Sequence, residues 1–278
     1  MSGARHFDHI VIAGYDIDSL AQFYARLGFR VGGRNVHPWG TQNHIVQFDG
    51  AFLELIALPK DGSISDSSPY FARYLRDFLQ ENQGLAMLVL HSVDAQADHA
   101  AFAAAKIGLG EVFDFARNSR RPDGGEVQVA FSLAFARPPE NMKCGFFTCQ
   151  QHFPQNFWNP AFQIHENGVS KLRQIEFLSS NPVEDERFFR SFSAFQAQKK
   201  DRKLKIASET VTLASNGQSI VLTQAEQGRF DALVFALADL EAFRTLLRRN
   251  QVTFIDQPHR VIIAPENAFG ARLIFEQV

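Results

Sequence analysis

The sequence predicts an α+β fold of four β-α-β-β-β modules paired into two domains, and three observations carry that expectation. First, one opening recurs four times: an apolar run, a short break holding an Asp or an Asn-Pro, and a stretch with helical spacing. These are residues 7–29 (FDHIVIAGYDIDSLAQFYARLGF), 85–109 (LAMLVLHSVDAQADHAAFAAAKIGL), 172–192 (LRQIEFLSSNPVEDERFFRSF) and 230–254 (FDALVFALADLEAFRTLLRRNQVTF). Second, each opening is followed by further strand-like segments with turn residues between them. Third, 278 residues exceed one ordinary core and suit two domains. A unit of this kind cannot bury its apolar face alone, so the copies must pair.

Taken in order, the first module spans about 7–58. After its strand and helix come Val31, then 44–48 (HIVQF) and 51–58 (AFLELIAL), joined by an Asp49-Gly50 hairpin signal. Residues 66–83 read as a connecting helix packed on the first domain. Ser67-Ser68-Pro69 looks like an N-cap with Pro in the first turn, and Tyr70, Phe71, Tyr74, Leu75, Phe78 and Leu79 recur at helical spacing. Asp and Arg alternate on its polar face, which argues against a membrane-surface helix. The second module, 85–152, continues through 111–115, 128–135 and 145–152, with 117–125 expected as a surface loop. Pro154, Pro160 and the polar run 165–168 (HENG) set the domain boundary, giving domains 1–165 and 166–278. The third module, 172–225, offers strands at 204–206, 209–214 and 219–223. The fourth, 230–278, offers 252–255, 260–264 and 271–277.

Composition narrows the function classes. With 45% hydrophobic residues and 28 Phe against 4 Tyr, the interior, and any cavity in it, is expected to be plain aromatic surface. A net charge of −2 supplies no electrostatic reason for nucleic acid or an anionic membrane as partner. No apolar run reaches membrane-spanning length, and the chain enters its first strand within a few residues, so a cytoplasmic protein with a small-molecule substrate is expected. Cys144 and Cys149 are an odd number of residues apart around one strand, pointing to opposite faces; both are expected as free thiols.

Chemistry is sought where copy one departs from the others. Aligning the openings places His9 opposite Met87, Gln174 and Ala232, so an ionisable ring occupies that slot once. Glu54 interrupts an otherwise apolar strand, where an ionised carboxylate must be paired, hydrogen-bonded or metal-bound. A carboxylate and an imidazole on neighbouring strands begin a divalent-metal site. His37, before Pro38-Trp39-Gly40-Thr41, is placed to touch substrate or to brace the turn, while Asn43, His44 and Gln47 offer polar reach into the cavity. His91 shares strand parity with Met87 but lies about 13 Å along the strand, too far for the same metal. Neither Gln174 nor Ala232 supplies a ligand, so the C-terminal modules read as a scaffold shaping a lid or a homodimer surface.

The repeat with a His in its first strand and a Glu in its fourth resembles the vicinal-oxygen-chelate superfamily, which includes glyoxalase I, extradiol dioxygenases and the fosfomycin- and bleomycin-resistance proteins. Residues 7–58, with 37–43 (HPWGTQN), are similar to bacterial glyoxalase-like domain proteins. So is 151–160 (QHFPQNFWNP), although the Thr that precedes the Pro in that group's pattern is missing here. The resemblance implies two glyoxalase/dihydroxybiphenyl-dioxygenase-like domains, with sheets curved around a cavity and a metal held by first and fourth strands. It assigns His9 and Glu54 from the first module. In the second, Met87 takes the first-strand slot and Cys149, Gln150 and His152 compete for the fourth. Aligning Phe52-Leu53-Glu54 with Phe147-Thr148-Cys149 favours Cys149, whereas a bulge would bring in His152. We take His9, Glu54 and His152 as the metal set, with Glu54 also catalytic and Gln150 at the substrate. Such a set accepts Fe, Mn, Ni, Co or Zn. The implied function is a divalent-metal-dependent lyase or isomerase acting on a small oxygenated molecule by Lewis-acid polarisation. The alternatives are a non-haem Fe(II) extradiol-type dioxygenase, or a metal-free small-molecule binding or sequestration protein.

Overall fold

Each recurrent opening folds as a strand, a capped break and a helix. In the computed structural model, which describes residues 3–66, 68–120, 125–198 and 210–278, β1 (Phe7–Ala13) leads to α1 (Ile17–Arg26) and β5 (Gly84–Ser92) to α3 (Ala95–Ala104). Likewise β9 (Val169–Ser179) leads to α5 (Pro182–Ser193) and β13 (Arg229–Leu237) to α6 (Leu240–Arg249). The break residues explain themselves: the side chains of Asp16, Asp94, Asn181 and Asp239 accept backbone N–H groups of Asp18, Ala97, Glu184 and Ala242. Each satisfies an otherwise orphaned donor at a helix start.

The remaining strands complete two eight-stranded sheets. The first adds β2 (Asn35–Val36), β3 (Gln42–Phe48), β4 (Ala51–Ala57), β6 (Gly108–Arg120), β7 (Glu126–Ala136) and β8 (Gly145–Gln151). Its order is β2-β3-β4-β1-β5-β8-β7-β6. The second adds β10 (Gln196–Ala197), β11 (Thr210–Ser215), β12 (Gln218–Gln224), β14 (Ile255–Gln257), β15 (Arg260–Ile263) and β16 (Arg272–Gln277), and repeats that order as β10-β11-β12-β9-β13-β16-β15-β14. In each module the opening strand pairs in parallel with the last, and the two opening strands of a sheet meet antiparallel. The expected α+β architecture of four paired modules is the one observed.

Three local expectations change. β6 continues to Arg120 in register with β7, so residues 117–120 are strand rather than loop, while 121–124 fall outside the described residues. The segment 204–206 also falls outside them, and β11 begins at Thr210. The connecting helix, α2 (Tyr70–Glu81), starts with Pro69 at the cap position and has no side-chain cap, Ser67 being outside the described residues.

A single large core joins the two sheets. The faces bearing Ile10, Leu53 and Leu88 on one sheet and Ile175, Leu233 and Phe275 on the other share one buried cluster with α1, α3, α5 and α6. Aromatic rings cross between the halves: Phe29 lies 5.7 Å from Phe235, Phe102 5.8 Å from Phe192 and Phe146 5.4 Å from Phe192. Each fully buried ring contributes roughly 1.5–3 kcal/mol, so the halves are held chiefly by this shared apolar layer. The backbones also meet, with Arg5 N donating to the Ser193 carbonyl at 2.9 Å, Met142 bridging to Gly228, and a close glycine contact. Gly84 and Gly270 both have positive φ, and a Cβ on Gly270 would stand 2.0 Å from the carbonyl oxygen of Gln83. The opposite, concave faces differ. On the first sheet Val11, Val89, Phe131 and Phe147 form a second cluster with Phe71, Leu75 and Leu79 of α2. On the second, among the described residues, Ala232, Val234 and Ile274 group together, with Ile262 packed against them. No described helix is long and apolar enough to cross a membrane.

Candidate functional site

The concave face of the first sheet holds a small cavity of about 50 Å³, open on one side, into which His9, His37, Asn43, Glu54 and Arg117 project among phenylalanines. Strand alternation delivers these groups. On β3, Asn43 and Ile45 face the cavity; on β4, Phe52 and Glu54 do, and on β8, Phe147 and Cys149. His9 arrives differently. The pairing of β1 with β5 slips between Phe7 and His9, a bulge that lets Phe7 and Ile10 stay in the shared core while His9 faces the cavity.

The bulged residue, Asp8, orients the ring beside it. Asp8 Oδ1 lies 2.6 Å from His9 Nδ1, and Asp8 Oδ2 accepts from Gln151 Nε2 at 2.9 Å. A carboxylate accepts through both oxygens, so it fixes the Nδ1–H tautomer and leaves the Nε2 lone pair facing the cavity. That nitrogen lies 3.8 Å from Glu54 Oε2. Phe52 stacks on the ring at 4.3 Å between centroids, holding it from the other side. Glu54 Oε1 accepts from Asn43 Nδ2 at 2.5 Å.

His37 faces the same carboxylate, with Nε2 3.8 Å from Glu54 Oε1. Its Nδ1 is 2.9 Å from the hydroxyl of Thr41, which also accepts from Trp39 Nε1, and the Trp39 indole stacks on the imidazole. Burial pushes the His37 pKa down to about 4 against the opposing pull of Glu54, so the ring is neutral at neutral pH. Cys149 lines the cavity as a thiol that burial, and then Asp8 and Glu54, hold well above its ordinary range.

The sequence-derived candidates separate into two groups. His9, Glu54, Asn43 and His37 come together in the cavity. His44 turns to the other face, its Nδ1 2.7 Å from the Gly32 carbonyl. Gln47 is consumed structurally: it donates to the Phe157 carbonyl and accepts from the Asn159 amide, clamping α4 (Pro154–Phe157) so that Phe157 enters the cavity wall. Gln150 accepts from the Ala95 amide at the start of α3. His152 does not join His9 and Glu54 either. It is exposed beyond the end of β8, with Nε2 2.7 Å from Ser132 Oγ, and Ser132 lies between the cavity-lining Phe131 and Leu133 on the opposite face of β7. Both expected thiols are free and buried.

Register places an apolar residue at the second module's counterpart of Glu54. Val11 stands opposite Glu54 on β1 and β4; the equivalent pair on β5 and β8 is Val89 and Phe147. The true counterpart of Glu54 is therefore Phe147, two residues before Cys149. Arg117 is the functional candidate that sequence reasoning passed over. Phe113, Phe115 and Arg117 alternate along β6, a period-two signal obscured by assigning 117–125 to a loop.

The donor set of two imidazoles and one carboxylate suits a divalent ion, and the Asp8–His9 contact is the outer support that metal-ligating histidines ordinarily have. Donor separations of 3.8 Å lie within the span of two bonds of roughly 2.0–2.2 Å each. Among the described residues, however, no three His, Cys, Asp or Glu side chains are already gathered around one point as a metal cluster.

Comparison with known proteins identifies the family and the fold. Residues 7–192 match the family described as "Glyoxalase-like domain". Among solved structures, a hypothetical protein from Staphylococcus aureus superposes with a TM-score of 0.66 at 13% identity, covering 98% of this chain and 99% of that one. A triple mutant of 4-hydroxymandelate synthase from Streptomyces coelicolor gives 0.64 at 10% identity, covering 99% and 93%. A xylose isomerase-like TIM barrel/4-hydroxyphenylpyruvate dioxygenase fusion protein gives 0.60 at 13% identity, covering 99% of this chain and 49% of that one. These identities establish a shared fold. No curated protein matches the chain.

Proposed function

The chain belongs to the glyoxalase-like domain family of the vicinal-oxygen-chelate superfamily, and from that premise we propose that it is a divalent-metal-dependent enzyme of lyase or isomerase type acting on a small oxygenated molecule in the N-terminal cavity. The observation that carries this reading is the His9–Glu54 pair: a ring pinned through Nδ1 by Asp8, with its free Nε2 3.8 Å from a carboxylate oxygen, both inside an aromatic cavity. His9 and Glu54 would hold the ion, with His37 facing the other oxygen of the same carboxylate at 3.8 Å. When bound, a divalent ion there supplies Lewis-acid polarisation of substrate oxygens.

The surrounding residues perform the remaining tasks. Asn43 orients Glu54 through Oε1, leaving Oε2 toward His9 and the cavity, where it can accept a proton from a bound substrate. Phe52, Phe147 and Phe157 displace water and so strengthen each polar contact made inside. We also place the division between the two domains at residues 165 and 166.

One observation favours a second reading. Met87 and Phe147 fill the second module's ligand slots, which is what a metal-free binding or sequestration protein would show. Metal analysis of protein purified without chelators separates the two. About one equivalent of divalent ion, absent from His9→Ala and Glu54→Gln, supports the enzyme. Wild-type protein that takes up no Fe, Mn, Ni, Co or Zn on direct titration ends that reading.

A further inference from the structure

Arg117 is the one cation among the described residues that line the cavity. Its placement is specific. Arg117 Nη1 donates to Asn35 Oδ1 at 3.3 Å, linking the β6 edge of the first sheet to its β2 edge. Asn35 in turn donates to Asn43, and Asn43 to Glu54. The guanidinium is thus tied to the Glu54 network at the seam where the curled sheet meets itself. Its Nε is buried with no hydrogen-bond partner, and among the described residues no carboxylate lies within ion-pair distance of it. A buried donor left unmade is costly, and a guanidinium offers a planar fork matched to a carboxylate.

We propose that Arg117 recognises the carboxylate of the cavity's ligand, and that this ligand is an aromatic or apolar monocarboxylate whose hydrocarbon body lies against Phe115, Phe131 and Phe157. The inference rests on the cavity being the small-molecule site. Ring faces along the wall accept a flat apolar body: Phe115 stacks on Phe131 at 5.1 Å, and Phe157 meets Phe131 edge-on at 6.2 Å. The charge balance agrees. Glu54 is the only carboxylate lining the cavity among the described residues, and a divalent ion beside it would leave Arg117 without an opposing charge.

Both tryptophans report on the cavity. Trp39 packs 5.2 Å from Phe115 and Trp158 5.8 Å from Phe52, so ligand entry can be followed by fluorescence. The test titrates phenylacetate and 3-phenylpropanoate against their primary amides, using wild type, Arg117→Gln and Arg117→Lys as purified. We expect an acid to bind at least about tenfold tighter than its amide in wild type. Arg117→Gln should erase that preference while leaving amide binding unchanged, which also shows that the variant is folded; Arg117→Lys should restore part of it. Equal binding of acid and amide by wild type overturns the inference, as does an acid preference that survives Arg117→Gln, which would place the carboxylate elsewhere. If neither acids nor amides bind, the inference fails together with the cavity reading beneath it.

Discussion

The two sheets are built to the same plan, yet their concave faces gather different residues. All four opening strands slip in register just before the slot that His9 occupies, at Asp8, Ala86, Arg173 and Asp231. In the N-terminal sheet this puts His9 opposite Phe52 and brings Glu54 alongside. In the C-terminal sheet the first-strand slots are Gln174 and Ala232, and the positions matching Glu54 are Val221 and Ile274. Asp231 retains the acidic character of Asp8, but with no imidazole beside it the carboxylate pairs with Arg272 at 2.9 Å. Gln174 bridges Ser219 and Glu176 in a closed polar set. The bulge is therefore a property of the repeat, and the imidazole after it and the carboxylate on the neighbouring strand are what the first copy adds.

The largest expected effect tests whether the halves are separable at all. Phe235 belongs to the C-terminal sheet but packs on Phe29 and Phe48, so Phe235→Ala should cost about 3–5 kcal/mol and lower both halves together in one calorimetric transition. Two resolved transitions would break the picture of a common core. Next comes the ligand pair. Glu54→Gln keeps size and removes charge, and metal affinity should fall by more than the roughly 10- to 100-fold typical of outer-support losses, with the far-ultraviolet spectrum unchanged. Asp8→Asn, which touches only His9 and Gln151 among the polar groups described, should fall inside that 10- to 100-fold range, as read by metal competition.

A smaller effect contrasts the halves by pH. His37 is held neutral, its pKa down from 6.5 to about 4, so the unfolded chain binds the extra proton between those values. Its contribution is complete above about pH 6.5 and is lost as pH falls toward 4, amounting to about 3 kcal/mol in the limit. Glu176 behaves oppositely: burial raises its pKa, so the fold favours its protonated form and that contribution fades as pH rises through the raised value. Acidifying the metal-free protein from pH 7 to 5 should therefore speed amide exchange, corrected for its intrinsic pH dependence, in β3 and β4 relative to β9. Equal change in all three strands would remove the contrast. The smallest expected effect is none: Gln174→Ala should leave metal content and affinity as in wild type. If that variant loses metal while Glu54→Gln keeps it, the site lies in the other half.

The repeat made the fold legible. Helix breaks carrying Asp16, Asp94, Asn181 and Asp239 are physical caps, so the signal that announced the modules is also what starts their helices. His9 and Glu54 could be found because repetition supplies an internal control: a residue the architecture does not require stands out against three copies that lack it. The second-module partner could not. Choosing among Cys149, Gln150 and His152 needs the parallel register of β5 with β8, and neither apolar content nor spacing encodes a two-residue offset between Phe147 and Cys149. Arg117 was missed for a related reason. Its polarity, next to Asn118 and Ser119, reads as a turn, although β6 carries the alternation of Phe113 and Phe115 through it to Arg120. Gln47 was misread because a buried glutamine holding two backbone groups has the same sequence appearance as one awaiting substrate.

Where Gly84 meets Gly270, the backbones of the two halves are in direct contact, and any side chain there would have to push the sheets apart. The point joins the end of the linker leaving α2 to the loop that enters β16. Because Phe71 of α2 lines the N-terminal cavity and Leu75 and Leu79 pack in the apolar cluster beside it, a wedge at this contact would be felt as a displaced cavity wall. The two halves are consequently not free to shift independently at this contact. A side chain introduced at residue 270 would thus disturb the N-terminal half from outside it, as a fault of alignment rather than of chemistry.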